Sequence, residues 1–314
     1  MNLSGAFYAL VAFGLFATHD VVIKYLGSAY APAQVLFFAT LFSFPLVSLM
    51  LMRDKTAGTL LPVYPGWNLI RTLAATGNAL CVFYAFTALP LAQVYAILFA
   101  MPLLITLLAI PMLGEKVGLH RGAAILVGLC GVIIVLRPGS AELGLGHAAA
   151  LSSACLGSLV FVISRKVGQE ERPVVMMLYP LAANFVVMGG IMVFDYRPVA
   201  LPDLAGMGAI ALLGFVAGLL LVFAYRASEA AVVAPMQYSQ ILWATVYGLV
   251  FFDEHLDRAT VLGVGVIIAS GLYILFREAR GGHSENMPVL RNRSRVPAAM
   301  SMWIGAVLRR GPRG

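Results

Sequence analysis

His19, Asp20 and Lys24 stand inside an apolar run near the start of the chain. Asp20 and Lys24 are four residues apart, so on a helix they share a face and can pair. A carboxylate kept in apolar surroundings can hold a cationic ligand, and a histidine beside it can take up or release a proton near neutral pH. Glu115 and Glu254 each close an apolar run. There a carboxylate meets the negative end of a helix dipole and needs a cation. Lys116 or Arg121 can serve the first, and His255 or Arg258 the second. The position suits a gate or a latch between helix ends.

Two long runs carry most of the amides and aromatic rings. One holds Gln93, Tyr95, Phe99 and Thr106. The other holds Gln237, Tyr238, Gln240, Trp243 and Tyr247, with Arg226 just before it. Gln240, Trp243 and Tyr247 fall at helical spacing, so one face can offer hydrogen bonds and flat rings together. With Tyr84, Asn78, Tyr179 and Asn184, these residues can line a midplane pocket for a planar, polar, mostly neutral ligand. Pro102 and Pro235 interrupt the helical ladder and free carbonyls toward such a cavity.

Other chemistries lack their residues. Cys81, Cys130 and Cys155 lie in apolar runs without CxxC or Cys/His spacing, so no disulfide framework or metal site is expected. There is no HExxH and no GxSxG, and His147 with Ser152 and Ser153 is the nearest approach to a catalytic set. No glycine run carries a Walker lysine. The chain therefore reads as a protein without cofactor that is not an enzyme. Gly118/Gly122 and Gly214/Gly218 are GxxxG pairs, and Gly128, Gly131, Gly263, Gly265 and Gly271 line two later runs. Such residues let membrane helices approach closely, within the bundle or in a homodimer.

The elements that position these residues are membrane helices. Of the 314 residues 61% are hydrophobic and 11% charged, against about 45–50% and about 25% in soluble domains. Only lipid can hide that much apolar surface. Ten runs of spanning length are predicted: 5–26, 33–52, 67–88, 91–112, 120–136, 146–165, 174–194, 204–224, 231–252 and 259–276. The first has no basic residues before it and is expected to be a retained span. The net charge of +7 does not point to nucleic acid, because eight of the 21 basic residues are arginines after Phe276. Residues 277–314 form a basic tail expected to be disordered, with Val296–Leu308 able to lie on a leaflet.

Charge sets the direction. With an inward N-terminus, the inner loops and flanks hold Arg53, Lys55, Arg71, Lys116, Arg121, Arg165, Lys166, Arg172 and Arg226, nine against four outside. The positive-inside rule then places both termini in the cytoplasm. The stretch Tyr84–Leu136 recurs faintly as Phe223–Leu275 at an offset of 139, with nine identities in 53 positions, and carries Glu115 onto Glu254. Each copy belongs to a five-span unit, 5–136 and 146–276. An odd number of spans turns the second unit over. The expected fold is thus an all-α polytopic membrane protein with a 5+5 inverted repeat, from which alternating access follows.

The ten runs, the endings Pro111-Met-Leu-Gly-Glu115 and Phe251-Phe-Asp-Glu254, and the turn Ala227-Ser-Glu-Ala-Ala-Val-Val-Ala-Pro235 resemble the EamA family of the drug/metabolite transporter superfamily. The likeness covers about residues 5–276. Asp20-Val-Val-Ile-Lys24-Tyr-Leu-Gly27 looks like the first span of members that import S-adenosylmethionine, and an Asp-x-x-x-Lys arrangement is shared with members that import riboflavin. The resemblance implies a secondary transporter of a small organic metabolite in the inner membrane. Riboflavin uptake is the expected activity. S-adenosylmethionine import, or export of amino acids or other metabolites, is the alternative. Coupling to protons through His19 or Asp20 and facilitated exchange both fit these residues.

Overall fold

The computed structural model describes residues 3–52, 59–115, 119–137, 143–168, 170–228, 230–255 and 257–280. Arg53, Lys55, Lys116, Gly118, the side chain of Arg121 and the tail from residue 281 onward lie outside the described residues. Every regular element among them is helical: α1 (Leu3–Leu26), α2 (Pro32–Met52), α3 (Pro65–Ala88), α4 (Leu91–Leu98), α5 (Met101–Leu113), α6 (Leu119–Leu136), α7 (Leu145–Val167), α8 (Pro173–Met192), α9 (Leu201–Ala227), α10 (Ala230–Val233), α11 (Ser239–Phe252) and α12 (Arg258–Arg280). Seven stretches are long and apolar enough to cross a membrane, with α4 and α5 counted as one stretch, Leu91–Leu113. Gly122–Leu136 and Arg258–Ile274 are shorter apolar helices.

Proline and the left-handed region mark the joints. Prolines stand in the first two positions of α3, α5, α8 and α9, where the missing N–H costs nothing. Within the fourth run the helix breaks at Phe99–Ala100, just before Pro102. In the ninth run a 3-10 turn over Ala234–Tyr238, opened by Pro235, separates α10 from α11. The breaks are equivalent under the offset of 139. Their rings meet: Phe99 and Tyr238 lie edge to face at 5.2 Å, so a residue touches its own repeat counterpart.

The helix ends repeat as well. Leu89 N–H donates to Ala85 O (3.0 Å), and Ser228 N–H to Ala224 O (3.1 Å), at equivalent positions. Gly114 (φ 70°) and Asp253 (φ 53°) both turn left-handed to end α5 and α11. Glu115 N–H then reaches Ala109 O at 3.3 Å, and Glu254 N–H reaches Gly248 O at 3.0 Å. In each copy an N–H just past the left-handed residue thus reaches back six positions to a carbonyl near the helix end.

Packing crosses between the copies. α1 lies on α9 and α11, while its counterpart α7 lies on α3 and α5; α2 meets α8, and α6 meets α12. The repeats are units of sequence, and their helices interleave. Gly14 against Trp243, Thr18 against Tyr247 and Lys24 against Glu254 run in step, so α1 and α11 are parallel. Gln93 with His147 and Glu115 with Arg165 make α4–α5 and α7 parallel. Glu254 also touches Leu91, which places the C-terminal end of α1 at the N-terminal end of α7. The two first helices therefore run in opposite directions. The core centres on α4, where every residue except Gln93 is buried.

The glycine stripes on α6 and α12 face each other. A Cβ on Gly131 would come within 2.9 Å of Gly263 O, and one on Gly263 within 2.6 Å of Gly131 O. Gly128 abuts Leu103 and Ser270, and Gly271 lies under Tyr238. These four glycines are thus taken up by packing within the chain, whereas Gly122 and Gly265 face open space. Gly131→Ala should destabilise the detergent-solubilised protein by about 1–3 kcal/mol, since the neighbours it meets include backbone. Gly265→Ala should change it by less than about 0.5 kcal/mol. Thermal unfolding of both variants checks the pair.

Candidate functional site

Asp20 is 1% exposed, inside the bundle on α1. Its Oδ1 lies 2.7 Å from His19 Nδ1, and its Oδ2 accepts the hydroxyl of Tyr95 from α4. The His19 ring stands edge-on to Phe83 of α3 at 6.3 Å and fills the space left by Gly214 of α9. A buried carboxylate held by an imidazole and a phenol is a place where a proton or a cationic group can be exchanged without bulk water. Four helices, α1, α3, α4 and α9, meet around it.

Lys24 does not pair with Asp20 as the spacing predicts. Its ammonium lies 2.8 Å from Glu254 Oε1 and donates to Leu89 O at 2.5 Å. It also sits 5.4 Å from the centre of the Phe252 ring. At the helix end of α1 a long cationic side chain reaches sideways to carbonyls left open by the end of α3. Glu254 likewise finds Lys24, in place of His255 or Arg258. Its second oxygen accepts the N–H of Leu91 at 2.9 Å, one of the donors that the first turn of α4 leaves unpaired.

Glu115 has the corresponding place at the other end of the α4–α5 stretch. Its partner is Arg165 on α7, with Nη2 at 2.7 Å from Oε1. Sequence position points to Lys116 or Arg121, whose side chains lie outside the described residues, and not to Arg165. The signal was present: under the offset of 139, Arg165 falls on Leu26, two residues from Lys24. Both first helices of the repeat therefore end with a cation.

The aromatic and amide residues divide. Trp243 lies over Gly14, and Tyr247 meets the Thr18 hydroxyl at 3.1 Å, so this stripe of α11 faces α1 beside the Asp20 group. Gln240 is 1% exposed, and its Nε2 has no partner among the described residues. Trp243 is more open than expected, at 38%. Tyr238 packs on Phe99. Gln93 meets His147 of α7 at 3.0 Å. Asn78 accepts the Ser153 hydroxyl at 2.8 Å, and Asn184 Oδ1 is buried without a partner among the described residues. Tyr84 and Gln237 are half-buried. Thr106 is bonded back to Pro102 O of its own helix at 3.0 Å.

Tyr179 departs from the expectation. It bonds Leu60 O at 3.3 Å, in the segment before α3 at the end of the bundle, and does not line the midplane. At that end Tyr64 donates its hydroxyl to Glu170 at 2.5 Å, and that carboxylate, by holding the proton, raises the phenol above its ordinary value. Nearby, Arg71 is 1% exposed on α3 and bonds Met176 O. A cleft of about 100 Å³ opens at the opposite end, lined by Gln93, Thr245, Glu254, His255, Asp257 and Thr260 among others. Ligand pockets run to about 300–1,000 Å³, so this cleft takes water and small ions in the present conformation.

The profile of the EamA-like transporter family matches residues 3–137 and 144–276. A riboflavin transporter of Rhizobium johnstonii is 28% identical over 284 residues, covering 88% of this chain and 92% of the relative. An S-adenosylmethionine uptake transporter of Rickettsia prowazekii is 24% identical, covering 90% and 96%. A pseudopaline exporter of Pseudomonas aeruginosa is 25% identical, covering 88% and 98%. A solved crystal structure superposes with a TM-score of 0.57 at 17% identity, covering 89% of this chain and 99% of that one, which shows the fold alone.

Tyr95→Phe removes a donor from the buried Asp20 carboxylate and puts nothing in its place. The variant should lose about 1–3 kcal/mol of stability. Thermal unfolding checks it. Tyr84→Phe, at a half-buried ring, should lose less than about 0.5 kcal/mol.

Proposed function

The chain belongs to the EamA-like transporter family and is a multi-pass transport protein of the inner membrane; on that premise we propose that it takes up riboflavin by alternating access. The observation that carries the substrate is the likeness, over nearly the whole of both chains, to the Rhizobium riboflavin transporter. The residues suit such a cargo. Trp243 and Tyr247 offer flat rings beside α1, and Gln240 holds a buried amide donor with no partner among the described residues. A planar, polar, largely neutral molecule needs stacking surfaces and a few hydrogen bonds. On this reading, His19, Asp20 and Tyr95 form the coupling or substrate group.

The bundle is a ten-span, 5+5 inverted repeat with both termini in the cytoplasm. The opposed directions of α1 and α7, the matching breaks in the fourth and ninth runs, and the positive-inside count support that reading. It places Lys24 and Glu254 at the outer end, and Glu115 and Arg165 at the inner. The small outer cleft cannot admit a flavin, so helices must part there before cargo binds.

A second reading, S-adenosylmethionine uptake, is favoured by one observation: a buried carboxylate beside Tyr95 is a good receptor for a sulfonium. Uptake of labelled riboflavin and labelled S-adenosylmethionine, by cells unable to make riboflavin and with or without this chain, separates the two. Riboflavin uptake and rescued growth are expected. Uptake of S-adenosylmethionine alone transfers the function to the second reading, and net metabolite efflux without uptake of either sinks both. Asp20→Asn should cut transport by about tenfold or more, equal to at least about 1.4 kcal/mol, at unchanged membrane abundance. Unimpaired transport by that variant would make Asp20 a packing residue.

A further inference from the structure

Lys24–Glu254 and Arg165–Glu115 are related by the internal repeat. Each glutamate follows a left-handed residue at the end of α5 or α11 and bonds back to an equivalent carbonyl. Each receives a cation from the C-terminal part of the other half's first helix, at 2.8 and 2.7 Å. The pairs occupy opposite ends of the bundle, because Glu254 contacts the start of the Leu91–Leu113 stretch and Glu115 follows its end. Each therefore ties the two copies together on one side only.

They are not equally complete. At the Lys24 end, Glu254 also caps α4 through Leu91 N–H, and Lys24 also binds Leu89 O, so α1, α3, α4 and α11 are tied in one knot. At the Arg165 end, Glu115 Oε2 and Arg165 Nη1 are buried without partners among the described residues. The residue equivalent to Leu91 there is Ala230, the first of the four-residue α10. Among the described residues, one latch has all these bonds while the other rests on a single ion pair.

Resting on the alternating-access reading above, we propose that these pairs are reciprocal latches of the transport cycle. Lys24–Glu254 seals the outer side and Arg165–Glu115 the inner, and completion of one accompanies release of the other. The conformation described has the outer latch locked and the inner latch ready to open. Lys24 and Arg165 are then positioning residues, which select the side to which the cavity opens without touching cargo.

Cysteine accessibility tests this without knowing the cargo. Cys81, Cys130 and Cys155 are replaced by alanine, and Thr245→Cys reports the outer end while Met112→Cys reports the inner. A membrane-impermeant maleimide is applied to right-side-out and inside-out vesicles. Glu254→Gln should raise outer labelling roughly fivefold and lower inner labelling by a similar factor, and Glu115→Gln should do the reverse. Lys24→Met should act like Glu254→Gln, and Arg165→Met like Glu115→Gln. Labelling that rises only at the mutated end, or at neither end, overturns the proposal, since local loosening would not close the far side. If the parent carries neither riboflavin nor S-adenosylmethionine but labelling is reciprocal, the latches stand and the cargo reading falls.

Discussion

A charged side chain in hydrocarbon must meet its opposite, and at the two helix-end pairs of this bundle the opposite lies in the other half of the chain. Lys24 is answered by Glu254, and Arg165 by Glu115. Neither pair can form inside one repeat. The need to satisfy them forces the first helix of each copy across the boundary, α1 onto α9 and α11, and α7 onto α3 and α5. The interleaving that follows is the frame on which everything else hangs.

Within the frame, close approach is permitted by small residues and interrupted by proline. Gly131 and Gly263 let α6 and α12 touch backbone to backbone. The breaks at Phe99 and at Ala234–Tyr238 place two rings against each other at the meeting of the copies. Around that meeting stand the groups with chemistry to offer: Asp20 with His19 and Tyr95, and the α11 stripe that faces α1. The ends are pinned by charge, while the middle is held mainly by packing. On the alternating-access reading, that division suits a middle that opens to one side at a time.

The copies share a backbone plan and differ in side chains. α4 is a buried eight-residue helix, capped by Glu254. Its counterpart is four residues of α10 followed by a 3-10 turn. Two arrangements of equivalent parts thus coexist in one molecule. On the proposed inverted-repeat reading, halves of the same form would leave the protein open to neither side or to both.

Much of this was legible in the residues themselves. Runs of about 20 apolar residues, lone glutamates at their ends, and paired prolines are local properties, and the helices, their joints and the family follow from them. Asp20 was legible for the same reason, since a carboxylate in an apolar run stands out whatever surrounds it. Its partner was not: Lys24 lies one turn away on the same helix yet turns to Glu254, because the carbonyl of Leu89 and a second carboxylate converge there. Tyr179 carried no sign that it would sit at the bundle end beside Leu60. Hydropathy and helical spacing are read along one dimension, so they determine what must be buried. Which buried group answers which is decided only when helices distant in sequence are brought side by side, and that was the work of the tertiary structure.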